Sequence, residues 1–126
     1  MRSVALTAVL AAAGMLGLAG CGEAGTAAAG REESGGGRGA AVYASSCAAC
    51  HGADVRGTGK GPSLRSIIYE PGHHSDESFR NAIINGARQH HWSFGDMPPV
   101  EGLSDEGVEL VIAFVRAEQQ RLGFED

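Results

Sequence analysis

The run Cys47-Ala48-Ala49-Cys50-His51 limits this chain more than any other stretch. Two thiols three positions apart, followed at once by an imidazole, can hold a metal, open and close as a redox pair, or attach one flat group at two points. The surroundings narrow that choice. The chain has 126 residues, room for one small domain, and its first third is too rich in Ala and Gly to join that domain's core. A core this small needs a staple: a disulfide, a metal or a large cofactor. An even disulfide framework does not fit, because only three cysteines occur and Cys21 stands alone far upstream. Nucleic acid is excluded as a partner. The formal net charge is −5 and the ten Lys and Arg are scattered, whereas phosphate binding needs a clustered basic surface.

The N-terminus reads as an export signal over residues 1–20. Arg2 precedes an apolar run from Val4 to Leu18, which ends in the small residues Ala19 and Gly20. Gly14 and Gly17 interrupt the run, which barely reaches the roughly 18 to 20 residues of a membrane-spanning helix. Leu18-Ala19-Gly20-Cys21 resembles the lipobox of bacterial lipoproteins, which implies a Cys21 acylated on sulfur at the mature N-terminus. Two or three acyl chains hold a protein on a membrane almost permanently. From Gly22 to Arg38 there is no large apolar residue, so residues 21–38 are expected to form a lipidated, flexible tether.

Residues 39–126 carry the pattern of a folded, all-α domain. A short helix is expected over Gly39 to Ser46, leading directly into Cys47. Ser75 can cap a second helix with Asp76 and Glu77 in its first turn, Phe79, Ala82 and Ile83 on one face, and Gly86 as its end. The third is the clearest: Ser104 as N-cap, Asp105 and Glu106 in the first turn, then Val108, Val111, Ile112 and Val115 at helical spacing. No stretch alternates with period two, so strands are not expected. Gly57 to Gly61 lacks the spacing of a phosphate loop and reads as a plain loop, and Tyr69-Glu70-Pro71-Gly72 reads as a turn.

With an export signal in front and no α/β pattern around it, the Cys-x-x-Cys-His run reads as a c-type haem attachment site. Each thiol adds to one vinyl group of the same porphyrin, and His51 then falls under the iron. A redox dithiol of the thioredoxin kind would need a preceding strand. Zinc would need two more ligands, which His73, His74, His90 and His91 could supply, but an exported chain favours haem. One covalent haem c is therefore the expected cofactor. For the sixth position of the iron, Met97 is the only methionine beyond the signal, and it lies in the rigid loop Gly95-Asp96-Met97-Pro98-Pro99. Thioether sulfur is a soft ligand suited to haem iron, and Met/His ligation raises its potential. The two His pairs are expected to face solvent in loops, with His90 and His91 near enough to Met97 to serve as fallback ligands.

On these residues, the stretch from Gly39 to Leu122 resembles the small monohaem cytochromes c of the mitochondrial-cytochrome type. Gly39 and Tyr43 match that family's glycine and aromatic on the first helix, and Val111 and Phe114 match the apolar and aromatic positions on the last. The resemblance implies that these two helices cross, with Gly39 letting the backbones touch. Gly61-Pro62-Ser63-Leu64 resembles the loop whose proline carbonyl accepts a bond from the ligand His, which implies that role for Pro62. The short chain from Leu64 to Met97 suits bacterial members better, and Trp92 and Arg65 are candidate partners of the haem propionates.

The resemblance implies a single-electron carrier, not an enzyme. It would be monomeric, exported, lipid-anchored at the periplasmic or extracytoplasmic face of the membrane, and would exchange electrons with another redox protein such as an oxidase, cytochrome complex or dehydrogenase. Two alternatives stay open: a fixed electron-transfer subunit of a periplasmic dehydrogenase or reductase, and a haem-based sensor in which a small molecule displaces Met97. A two-haem peroxidase is disfavoured because a second Cys-x-x-Cys-His run is absent from the sequence.

Overall fold

The structure is a computed structural model and describes residues 36–126. The expected signal and Cys21 lie outside the described residues. The order of elements is α1 (residues 36–46), α2 (Ala48–His51), a single 3-10 turn (Ile67–Tyr69), α3 (Asp76–Asn85) and α4 (Asp105–Leu122). Strand pairing among the described residues is limited to isolated bridges. The three expected helices are all present, and the attachment motif itself adds a one-turn helix, α2.

The helices start and stop where their end residues say they should. Ser75 Oγ accepts from Ser78 N at 3.3 Å, Ser104 Oγ accepts from Gly107 N at 3.1 Å, and acidic residues occupy both first turns. Gly86 and Gly123 close α3 and α4 at positive φ, where a side chain would be strained. The apolar stripe of α4 is buried at Val108, Val111, Ile112 and Val115, and Ile83 reaches the same core from α3.

The first helix begins earlier than expected, and residues 36–38 of the proposed tether belong to α1. Gly36 and Gly37 are poor helix formers. Tertiary contact overrides that preference: Arg38 pairs with Glu106 of α4 at 2.7 Å, and Gly39 lies against α4 one residue on. A Cβ at Gly39 would strike the Leu110 carbonyl and the Cβ of Phe114, so the α1–α4 crossing needs glycine there. Beside the crossing, Tyr43 and Phe114 stack obliquely with ring centroids 5.0 Å apart.

The long stretches between helices are tied down by side chains of α4. Arg116 donates to the carbonyl of Tyr69 at 2.7 Å, to the carbonyl of His74, and to Asp76 at 2.7 Å, while its guanidinium lies 4.6 Å over the Phe79 ring. Gln119, nearly fully buried, donates to the Leu64 carbonyl at 2.6 Å and accepts from Arg116. The C-terminus is strapped back by Arg65, which donates to the carbonyls of Gly123 and Leu122, both at 3.0 Å. Glu125 Oε2 is 3.3 Å from Arg65 Nη1, close enough for charge attraction but not aligned as a hydrogen bond.

Candidate haem site

The attachment motif sits at the join of α1 and α2 and is held by backbone hydrogen bonds on every side. Cys47 N donates to Tyr43 O, and both Cys50 N and His51 N donate to Cys47 O. The loop that follows folds back beneath the motif: Gly57 N donates to His51 O at 2.7 Å, and Thr58 Oγ1 donates to Cys50 O at 2.7 Å. Tyr43 anchors the arrangement from within the core, its buried hydroxyl donating to Gly52 O at 2.8 Å. Val55 adopts φ 57 here, a left-handed conformation that β-branched residues rarely take. Its side chain is nevertheless fully buried, so the packing of this loop holds it there.

Pro62 lies beside the ring of His51. Its carbonyl accepts from His51 Nδ1 at 3.0 Å. That bond fixes the ring and its tautomer, and leaves Nε2 free to meet a metal. Desolvation lowers the His51 pKa, partly offset by the bond to Pro62. A neutral imidazole with a lone pair on Nε2 is thus the favoured form.

A single cavity of about 900 Å³, counting the space at its mouth, is lined by Cys47, His51 and Pro62 and also by Met97. Aliphatic and aromatic side chains from α3 and α4 complete its walls, among them Phe79, Ile83 and Val111. Cys50 is exposed at the end of the motif. Met97 is brought to the cavity by the backbone: Ala87 and Met97 exchange two hydrogen bonds, of 2.9 and 2.8 Å, and Val100 N donates to Ile83 O at 2.8 Å. Gly86 makes this return possible, since a Cβ there would meet Met97 O at 2.6 Å.

The donor set fits a covalently held haem. The two cysteines are free thiols, the imidazole is preset in the right tautomer, a thioether lines the same cavity, and most of the remaining wall is apolar. A redox dithiol fits poorly, because burial and the charge of Cys50 push the Cys47 thiol up to about 11, whereas reactive thiols are shifted down. A zinc site shared between Cys47, Cys50 and the His pairs is not formed among the described residues. The ligand atoms of His73, His74 and His91 converge on one another instead.

The two candidate propionate partners separate. Trp92 lines the cavity and stacks on Tyr69 at 5.6 Å between ring centroids. Arg65 does not line it and is occupied at the C-terminus. Arg116 and Gln119, which hold the cavity wall to α4, escaped the sequence reading because their partners are backbone carbonyls far along the chain.

Comparison with known proteins places the chain in a family. A family model described as Cytochrome c matches residues 37–118. A cytochrome c550 from Pseudomonas aeruginosa is 43% identical over 49 residues, covering 39% of this chain and 32% of that protein. The chain thus spans about a third of the length of that curated relative. The family match takes in the attachment motif, the Pro62 loop, Met97 and most of α4, and so the chain belongs to the cytochrome c family, with covalently bound haem c as its cofactor.

Proposed function

We propose that this protein is a single-electron carrier and not an enzyme, in which Cys47 and Cys50 form the haem thioethers and His51 and Met97 are the axial ligands of the iron. The observation that carries this reading is the shared cavity: Met97, far along the chain from Cys47 and His51, lines one mostly apolar space with them. When bound, the haem supplies a reversible one-electron couple. The chain's own residues do the rest. Pro62 orients His51 through its carbonyl, and the Ala87–Met97 pair sets the thioether from the backbone. Phe79, Ile83 and Val111 keep the walls apolar, which favours the less charged ferrous state.

The same reading places the protein outside the cytoplasm, held by acyl chains on Cys21 at the periplasmic or extracytoplasmic face of a membrane, as a monomer. It would exchange electrons there with a membrane-associated oxidase, cytochrome complex or dehydrogenase. Among the described residues no helix is long and apolar enough to cross a membrane. Support for the tether is the lipobox-like run ending at Cys21, and mass spectrometry of the mature N-terminal peptide tests it. An acylated Cys21 is the expected result, and a free terminus at any other residue removes the tether from the proposal.

Met97→Ala tests the ligand set. The variant should keep its covalent haem and most of its helix, because the attachment motif and core are untouched. Its reduction potential should fall and its ferrous form should bind carbon monoxide, which the parent protein should not. Rapid carbon monoxide binding by the parent, with no change on Met97→Ala, would instead favour the sensor reading.

A further inference from the structure

Four of the chain's five histidines gather at one place, and that place is the mouth of the haem cavity. His73 and His74 precede α3, and His90 and His91 follow it. The ring centroids of His73 and His91 are 5.3 Å apart, those of His74 and His91 also 5.3 Å, and those of His90 and His91 4.3 Å. His74 and His91 line the cavity, while His73 and His91 are exposed to solvent. We infer that His73, His74 and His91 form a second metal site, one that takes an exchangeable divalent d-block ion of the Cu²⁺ or Zn²⁺ type.

Three observations support it. First, one nitrogen from each of these rings lies within 4.8 Å of the others. Ligands about 2.1 Å from a common tetrahedral ion sit about 3.4 Å apart, so rotation of the two exposed rings, roughly an ångström at the nitrogen, closes the set.

Second, His74 is built as a ligand. Its Nδ1 donates to the Ile68 carbonyl at 2.7 Å, which leaves Nε2 as the lone-pair nitrogen, the same arrangement that Pro62 imposes on His51. Its backbone carbonyl is held by Arg116 of α4, so the residue is fixed at both ends.

Third, the pairing is not a by-product of sequence proximity. The chain after Gly86 must double back along α3 before His91 can reach His73, and the Ala87–Met97 pair holds that return in place. Imidazole nitrogens select copper, zinc and nickel over calcium or magnesium, and Cu²⁺ binds such sites most tightly. The formal net charge of −5 also favours a cation.

The test uses haem-loaded protein without a polyhistidine tag, stripped of adventitious metal and titrated calorimetrically with Zn²⁺ and, separately, Cu²⁺. One ion per chain with micromolar or tighter affinity is expected, together with a Cu²⁺ electron paramagnetic resonance spectrum showing coupling to nitrogen. His73→Ala and His91→Ala should each weaken binding by at least about tenfold, the lower end of what losing even an outer partner costs a metal site. Both residues are exposed, and an unchanged haem absorbance confirms that each variant folds. His90→Gln, which lies outside the converging set, should retain the site. Unaltered affinity in the His73→Ala/His91→Ala double variant, weak binding of several ions, or loss of binding in His90→Gln alone would each overturn the assignment. The iron's sixth ligand is reported separately, by Met97→Ala.

Discussion

The stretch that presents Cys47 and His51 and the stretch that presents Met97 line the same cavity, yet they are held in opposite ways. Around His51 the chain is packed from below by the buried side chains of Tyr43, Val55 and Leu64, and a Cβ at Gly52, Gly57 or Gly61 would meet backbone atoms within 3.0 Å. Around Met97 the loop from Arg88 to Asp96 is exposed at most positions, Phe94 is 42% exposed, and a Cβ at Gly95 would meet nothing within 4 Å. One side is fixed by close packing; the other is a loop held by the Ala87–Met97 backbone pair at its neck and by exposed hydrogen bonds from Gln89 N to Asp96 and from Gly95 N to Gln89. The His51 side therefore has less freedom to shift than the Met97 side, because only the first is buried among atoms with no room to move.

The difference can be broken by substitution. The largest effect is expected for Gly57→Ala. Its φ of 80 is unfavourable for any side chain, and the new Cβ would press on Ser63 N and the Pro62 carbonyl carbon at 2.6 and 2.8 Å. Left-handed strain and overpacking together should cost on the order of 3 kcal/mol in denaturant unfolding of the haem-loaded protein. The Pro62 shift should also disturb the His51 bond, seen as a changed ferric haem spectrum.

A smaller loss, about 1 to 2 kcal/mol, is expected for Tyr43→Phe, which keeps the ring against Phe114 but leaves the buried Gly52 carbonyl without its donor. The same unfolding experiment measures it, and a neutral result would mean that water reaches Gly52 and that this side is less closed than its packing indicates.

Gly95→Ala should cost least, about 1 kcal/mol, since its φ of 92 brings strain but no collision. A cost equal to that of Gly57→Ala would erase the contrast between the two sides. The haem spectrum should not change, because the Ala87–Met97 pair at the neck of the loop is untouched.

Much of the fold could be read along the chain because its signals are local. Ser75 and Ser104 cap helices through amides three residues away, Gly86 ends α3 at positive φ, and the α4 stripe repeats at helical spacing. The attachment motif is local as well, with its thiols and imidazole within five residues, and a proline eleven residues on orients the ring. The start of α1 was misplaced for the complementary reason. Gly36 and Gly37 disfavour helix by themselves, and only contact with α4, through Arg38 and Gly39, decides otherwise.

The helices, the Cys-x-x-Cys-His motif and the identity of the cofactor are therefore legible along the chain, because all are written in residues that interact within a turn or a short loop. The tertiary structure alone decided that Arg116 and Gln119 bind carbonyls of distant loops, that Arg65 serves the C-terminus and not the cavity, and that two His pairs on either side of α3 meet at its mouth. Such contacts follow from how loops close over a shared core, and no spacing in the chain records where a loop will close.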